Sequence, residues 1–220
     1  MPFHNCKSDT ELRCESRTKV IPVDLQTLGF ASNYSCEIAP EFPGSGDWGC
    51  PVYRFVERPE LVERFAQLGE PFVIRIRHDD GSEWVGLLAR GLYGLRGVYS
   101  CPNPDQICVV IDGSGYLIDT RSPSDYRSLP MHPILSLERV HDTGTVLCGG
   151  FIDLLLIDED GLLWVSGRLC LDDLHVRNID RSTINCTGRQ IREDETWFSV
   201  SLKTGQLVSG TPFQEGKDDQ

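Results

Sequence analysis

The chain lacks long apolar runs and is poor in basic charge. No stretch approaches the roughly 18 apolar residues that a membrane-spanning helix needs, and the first residues lack the basic start and apolar stretch of a secretory signal. We therefore expect a cytoplasmic protein with no membrane partner. Its 21 Lys and Arg against 33 Asp and Glu give a formal net charge of -12, which disfavours nucleic acid as a partner because nucleic acid attracts cations.

Motifs of catalysis and cofactor binding are also missing. The sequence contains no glycine-rich phosphate loop, no nucleophile elbow and no His-Glu zinc helix. His4, Cys6 and Cys14 do not have the paired spacing of zinc ligands. Cys148 and His141 could form a thiolate pair, but no third group is suggested to orient the histidine. We expect no metal and no cofactor.

The nine cysteines are scattered along the chain. An odd count without an export signal indicates reduced thiols rather than a disulfide framework. Cys148 and Cys170 lie in apolar stretches, which is typical of small core residues.

Four glycine turns recur inside strand-turn-strand patterns. The reference glycines are Gly81, Gly115, Gly161 and Gly205, separated by 34, 46 and 44 residues. Apolar β-formers flank each turn, and glycine supplies the positive φ that short hairpins need. The spacing predicts a mainly β protein of antiparallel hairpin-built sheets, arranged as a sandwich or as blade-like units. Whether such sheets close as a propeller, a sandwich or a barrel stays open at this point.

One segment, near residues 59–68, has the pattern of a short helix. Pro59 suits the first helical position and Gly69 the end. Its apolar residues are predicted to share one face: Leu61, Val62, Phe65 and Leu68.

Composition divides the chain into three parts. Residues 1–50 are polar, without a sustained period, and are predicted to form a loosely structured N-terminal arm. Residues 51–213 are predicted to form a single β-rich domain, and residues 214–220 a disordered tail.

Two segments resemble known families. Residues 201–208, with a Lys-Thr-Gly turn, resemble the strand and turn of quinoprotein-type and WD-repeat propeller blades. The stretch Asp160-Gly161-Leu162-Leu163-Trp164, continuing to Leu174, is similar to a segment of small, uncharacterised bacterial β-rich proteins. This second resemblance covers roughly residues 105–213 and implies a domain type and a bacterial origin, with no known activity attached.

Two surfaces are candidates for binding. The loop of residues 91–97 carries Tyr93, Leu95 and Arg96, and exposed aromatic and Arg side chains are typical of interface centres. Residues 151–220 carry 13 acids against 7 bases, and several of these acids fall in or beside predicted turns. Because alternate hairpin turns emerge at the same edge of a sheet, several of these acids could converge there: Asp158, Glu159, Asp160, Asp172, Asp173, Glu193, Asp194 and Glu195. Four of them are the candidate binding residues: Asp158, Asp160, Asp172 and Asp173.

These patterns favour a non-catalytic protein-binding module. An acidic edge attracts a basic partner, and a small acidic bacterial β protein fits an immunity or antitoxin-like role by analogy. The alternative is a carboxylate-dependent hydrolase that pairs Asp79 with Asp158 or with Asp172, which would need both carboxylates in one deep pocket.

Overall fold

The protein consists of sheets built from strands that are close together in the chain. The structure, a computed structural model, describes residues 25–190 and 193–210, without the side chains of residues 193 and 194. Over these residues the predicted mainly β fold class is confirmed. The strands, numbered in chain order, are β1 (Leu25–Gln26), β2 (Tyr34–Ile38), β3 (Val52–Phe55), β4 (Phe72–His78), β5 (Glu83–Leu88), β6 (Gly97–Ser100), β7 (Gln106–Ile111), β8 (Ser114–Asp119), β9 (Arg127–Ser128), β10 (Ser136–Val140), β11 (Thr145–Gly149), β12 (Leu154–Asp158), β13 (Gly161–Val165), β14 (Asp172–Ile179), β15 (Thr183–Gln190), β16 (Glu193–Ser201) and β17 (Leu207–Ser209).

The strands form four sheets. Sheet 1 has the order β2-β4-β5-β3, and sheet 2 has the order β1-β6-β7-β8-β9. Sheets 3 and 4 are antiparallel meanders of β10 to β13 and of β14 to β17. Two pairings are parallel, β1 with β6 and β3 with β5, which the hairpin pattern did not predict. The stretch assigned to the N-terminal arm thus contributes β1 and β2 to two sheets, and residues 1–24 and the predicted tail lie outside the described residues.

The sheets stack in a row, and a buried cluster fills each space between neighbours. Sheets 1 and 2 enclose a cluster with Phe55, Ile74 and Tyr116. Sheets 2 and 3 enclose a second cluster, and sheets 3 and 4 a third. None of the clusters of the described residues joins sheet 1 to sheet 4. Because face-to-face packing removes the apolar surface of both sheets from water, each inner sheet is covered on its two faces.

The predicted helix is present as a 3₁₀ helix, Pro59–Gln67, with proline at its start. As predicted, Phe65 is buried against Val56 and Ala89, and Leu61 and Leu68 pack at the rim of that cluster. Val62 is 43% exposed, so its predicted place on the packed face is wrong. The cluster contains only three buried residues. The other three apolar side chains of the predicted face, those of Leu61, Phe65 and Leu68, already belong to it or pack against it. A second 3₁₀ helix spans Pro123–Asp125.

The turns follow the predicted chemistry with one correction. At three of the four reference glycines φ is positive: 82° at Gly81, 110° at Gly161 and 68° at Gly205. Gly115 instead lies inside β8, and the preceding turn is made by Asp112 and Gly113, with φ of 51° and 87°. Positive φ at both central residues is the tight hairpin geometry for which Asp-Gly is favoured.

Five of the seven described cysteines are buried. Cys148 and Cys170 are fully buried, as predicted. The seven cysteines among the described residues are all free thiols in the structure.

Candidate functional site

Hairpin turns from the first three sheets meet at one end of the stack. Both the imidazole Nε2 of His78 and the indole Nε1 of Trp84 lie against the carbonyl oxygen of Thr120, at 3.0 and 2.8 Å, which ties sheet 1 to the end of β8. The side-chain amide of Asn103 donates to the carbonyl oxygen of Glu159 over 3.2 Å. This bond ties the turn before β7 to the turn between β12 and β13.

The fourth sheet joins the same end. The indole N–H of Trp164 in β13 donates to the carbonyl oxygen of Leu202 over 3.0 Å. The N–H of Leu202 in turn donates to the carbonyl oxygen of Ser182 over 2.9 Å, in the turn between β14 and β15. Backbone and side-chain hydrogen bonds therefore hold turns of all four sheets side by side.

These turns are rich in carboxylates, and we call this surface the acidic end. The bases that lie among its turns are Arg121, Arg127, Arg181 and Lys203. The acids of the acidic end are Asp79, Asp80, Asp105, Asp119, Asp125, Asp142, Asp158, Glu159, Asp160 and Asp180.

A cavity of about 210 Å³ opens at the acidic end between sheets 2 and 3. Gln106 and Asp119 lie directly opposite each other in β7 and β8, and the β12–β13 turn closes the other side with Asp160 and Gly161. Its lining includes three aspartates and one arginine, so its formal charge is negative. The complete lining is Gln106, Leu117, Asp119, Asp125, Arg127, Asp160 and Gly161.

The three aspartates of this cavity differ in their hydrogen-bonding partners. One oxygen of Asp119 accepts hydrogen bonds from the backbone N–H of Arg121 at 2.8 Å and of Ser122 at 3.0 Å, and so shapes the following turn. Within the described part of the chain, the side chains of Asp125 and Asp160 make no hydrogen bond or ion pair, and both residues are exposed. Their charges are available to a cation from outside.

Asp80, in the turn between β4 and β5, is held by internal partners. It accepts hydrogen bonds from the N–H and hydroxyl of Ser82, at 2.8 and 2.6 Å, and pairs with Arg121 at 2.6 Å. The Ser82 bonds, followed by the Arg121 guanidinium, lower the pKa of Asp80 from 3.8 to about 2. The carboxylate therefore stays charged, although its charge is partly balanced by Arg121.

The structure brings together two of the four candidate binding acids. Asp158 and Asp160 lie in one turn at the acidic end, where a carboxylate oxygen of Asp158 accepts from the N–H of Asp160 at 3.0 Å. Asp158 thus serves the turn, and Asp160 faces outward.

Asp172 and Asp173 lie at the opposite end of the stack, so they do not converge with Asp158 and Asp160. The next residue, Leu174, donates its N–H to the carbonyl oxygen of Phe151 over 3.0 Å. Phe151 precedes β12, whereas Asp158 ends it, and a strand rises by about 3.3 Å per residue. The length of β12 therefore separates the two pairs. Asp172 is in addition paired with Arg189 at 2.9 Å.

The predicted aromatic loop lies at that opposite end as well. The Tyr93 side chain is 53% exposed, and its ring centre is 5.8 Å from that of Phe151. Leu95 is half-buried against the core between sheets 2 and 3 and exchanges backbone hydrogen bonds with Ile134 and Gly113. Arg96 pairs with Asp112 at 2.6 Å. Two neighbouring side chains of the loop are therefore presented to solvent, Tyr93 and Leu92, and Leu92 is 92% exposed.

The carboxylate pairs of the hydrolase alternative do not assemble. Asp79 belongs to sheet 1 and Asp158 to sheet 3, with sheet 2 between them. Stacked sheets lie about 10 Å apart, which separates these two acids by about 20 Å, whereas the two acids of a glycosidase lie about 5 to 9.5 Å apart. Asp172 is at the other end of the stack from Asp79. Neither proposed pair therefore shares a pocket.

The other chemistry considered from the sequence also fails on geometry. Cys148 is buried in the core, and burial raises the pKa of its thiol well above the ordinary value. His141 lies exposed in the turn after β10, so the two do not form a thiolate pair. Among the described residues, no group of three or more His, Cys, Asp or Glu side chains could hold a metal ion. His4, Cys6 and Cys14 lie outside these residues.

Sequence reasoning missed Asp119 and Asp142 because it considered only acids of the C-terminal third of the chain, and within that third it passed over Asp180. Asp119 ends β8, and Asp142 and Asp180 follow the ends of β10 and β14. Their common signal is an aspartate at or within five residues after the end of every second strand, from Asp79 after β4 to Asp180 after β14. Extending the alternate-turn argument to the whole chain would have found them.

Comparisons with known proteins leave the family open. No family model matches the chain, and no curated protein matches it. The crystal structure of the N-terminal domain of Nup159 is similar to the chain, with 13% identity, 89% of this chain and 55% of that chain covered, and a TM-score of 0.37. A chain in the structure of an S. cerevisiae Dbp5 variant bound to Nup159, a Gle1 variant, IP6 and ADP is similar with 12% identity, a TM-score of 0.35, and 89% and 53% covered. The chain thus spans about half the length of these structures. No helix of the described residues has the length and apolar character to cross a membrane.

Proposed function

We propose that the protein is a non-catalytic protein-binding module whose acidic end takes a basic partner. The observation that carries this proposal is the gathering of turn carboxylates from four sheets, with Asp125 and Asp160 left without an internal cation at the mouth of one cavity. Exposed single ion pairs contribute only about 0 to 1 kcal/mol each. Many like charges on one surface, however, create a field that steers a cationic protein to it and raises the association rate.

Internal bonding supports a preformed surface. The turns are tied to one another by Asn103, Trp84, Trp164 and Leu202, so the carboxylates are held in place before a partner arrives. A preorganised surface loses less conformational entropy on binding than a mobile one. In its finer form, the proposal is a cytoplasmic protein with an immunity or antitoxin-like role in a bacterium. The acidic surface and the resemblance of residues 105–213 to bacterial proteins support this form.

The test uses two variants with equal charge. The acidic-end variant carries Asp79→Asn, Asp125→Asn and Asp160→Asn, and the control variant carries Glu63→Gln, Glu70→Gln and Asp173→Asn. All six positions are exposed, and their side chains make no ion pair or hydrogen bond within the described residues. Each protein captures partners from a cell extract, and the association rate of the recovered partner is measured against salt.

We expect the wild type and the control variant to recover the same basic protein. With the acidic-end variant the association rate should fall by about tenfold at low salt, and the difference should vanish near 1 M salt, where the screening length is about 3 Å. An acidic partner, or an equal loss of rate in both variants, contradicts the proposal.

A further inference from the structure

A cleft of about 350 Å³ lies between the first strands of sheets 3 and 4. It is formed by the end of β10 with its turn and by the end of β14 with its turn. Its apolar floor is made by Val140, Val176 and Ile179, all of which belong to the core between the two sheets. The polar residues of the lining are Glu138, Arg139, His141, Asp142, Arg177, Asn178 and Asp180.

Both strands that border the cleft are sheet edges. Within the described residues β10 pairs only with β11, and β14 pairs only with β15. An edge strand presents a row of backbone N–H and C=O groups that can pair with another extended chain. The cleft therefore offers two backbone edges above an apolar floor.

The two edges are not equivalent. The register of β10 against β11 is continuous from Ser136 to Val140, whereas the pairing of β14 with β15 shifts twice. Such irregularities bend a strand and blunt its edge against pairing. The regular edge, and so the better template, is β10.

The fold already uses strand addition on this side. The short β1 pairs in parallel with β6 at the edge of sheet 2, with Leu25 opposite Val98 and Gln26 opposite Tyr99. The residues that follow β1 then reach sheet 3, since Arg139 of β10 donates to the carbonyl oxygen of Leu28 at 3.0 Å. The edge of sheet 2 is thus covered by an added strand, whereas no described strand pairs with the free edge of β10 in sheet 3.

The charges of the cleft select a cationic strand. Arg177 pairs with Glu195 at 2.5 Å, whereas Arg139 donates to the carbonyl oxygen of Leu28 and lies over the ring of Phe30, with its buried Nε left without a hydrogen-bond partner among the described residues. In contrast, Glu138 and Asp142 are exposed and make no ion pair or side-chain hydrogen bond within the described residues. Two unpaired carboxylates beside an apolar floor fit an extended segment in which basic and aliphatic side chains alternate, because successive side chains of a strand point to opposite faces.

We propose that the basic partner adds an extended, alternating basic and aliphatic segment as a strand to the free edge of β10, in the cleft between β10 and β14. This proposal rests on the proposed function and deepens it, because it names the form of the partner and the site that receives it.

The probe is a fluorescent hexapeptide of alternating lysine and valine, titrated into the full-length protein. Two further peptides carry backbone N-methyl groups on the lysines or on the valines, and a fourth replaces lysine by glutamate. Since a strand donates its N–H groups alternately to its two sides, one N-methylated peptide should bind like the parent and the other should not bind. The glutamate peptide should not bind either.

Two protein variants locate the site. Glu138→Gln with Asp142→Asn should weaken binding of the lysine peptide by about fivefold, the sum of two exposed ion pairs. The control, Glu63→Gln with Glu70→Gln, removes the same charge outside the acidic end, at exposed positions, and should change the affinity by less than about twofold. Backbone amide shifts of residues 136–140 on binding should confirm β10 as the template.

Several outcomes would overturn the inference. Three of them are equal binding of both N-methylated peptides, binding of the glutamate peptide as tight as that of the lysine peptide, and an equal effect of both variant pairs. A fourth is tighter binding of a peptide with the sequence of residues 10–24, which would assign the cleft to this chain's own N-terminal segment. If the peptide does not bind while the acidic-end variant still associates more slowly with its partner, strand addition alone is refuted. Binding of the peptide without any recovered basic partner refutes the proposed function alone.

Discussion

Gly205 lies directly against the indole ring of Trp164. A Cβ atom at position 205 would approach Cε3 of Trp164 to 2.5 Å, and the same indole donates its N–H to the carbonyl oxygen of Leu202. The turn between β16 and β17 is therefore seated on a tryptophan of sheet 3. This contact joins the last two sheets at the acidic end. Position 205 therefore needs a residue without a side chain, and its positive φ of 68° also favours glycine.

Gly205→Ala should destabilise the protein by about 2 to 4 kcal/mol, because the left-handed backbone costs about 1 to 2 kcal/mol and the forced displacement of Trp164 adds to it. Gly144→Ala is the matched control: φ is 66° there, and no atom lies within 4 Å of the added Cβ. It should cost only the backbone strain. The free energies of unfolding come from urea titrations. Equal losses of unfolding free energy in the two variants would show that the Trp164 ring moves aside without destabilising the protein.

Phe65→Ala should lower the free energy of unfolding by about 2 to 4 kcal/mol, because it removes the central side chain of the cluster that attaches the 3₁₀ helix to Val56 and Ala89. Val62→Ala on the same helix is the control and should change it by less than about 0.5 kcal/mol, since Val62 is 43% exposed. Both are measured by urea unfolding. An unchanged midpoint for Phe65→Ala would mean that the helix is peripheral to folding.

Asp80 should make the protein sensitive to acid. Its pKa falls from 3.8 to about 2 in the folded state, so the charged form stabilises the fold. This contribution is complete above about pH 4 and disappears as the pH falls through about 2. Asp80→Asn should therefore be less stable than the wild type at pH 6, and the two proteins should converge near pH 2. A difference in urea midpoint that does not depend on pH would show that the Ser82 and Arg121 contacts do not depend on the charge.

The buried thiols should be unreactive in the folded protein. Cys101, Cys108 and Cys148 lie in the core between sheets 2 and 3, and burial raises the pKa of Cys108 to about 12. Because the thiolate is the nucleophile, alkylation at these three sites should be at least about a hundredfold slower than in the unfolded chain. The half-buried Cys50 serves as the internal comparison and should react faster. Peptide mass spectrometry after timed alkylation measures each site, and rapid labelling of Cys148 would contradict the packing described here.

The local elements followed from the sequence because their causes are local. Alternating apolar residues and turn glycines predicted the hairpins around Gly81, Gly161 and Gly205, and a proline followed by an apolar stripe predicted the helix with Phe65 buried. In the same way, the apolar flanks of Cys148 and Cys170 predicted their burial. Each of these inferences depends only on neighbours within a few positions of the chain.

Only the tertiary structure decided which turns share an end of the stack. In the sequence, Asp158 and Asp172 are both acids beside predicted turns, and nothing distinguishes them. In the structure, Asp158 lies at the acidic end of β12, whereas Asp172 lies near Phe151 at the other end of that strand. The sequence likewise contains no sign that β10 and β14 would be edges facing one cleft, since that depends on how sheets 3 and 4 pack. Hydrophobic burial is non-directional, so apolar patterns fix which residues leave water. The stacking order and the position of each charge are set by long-range packing and by hydrogen bonds such as those of Trp84 and Trp164.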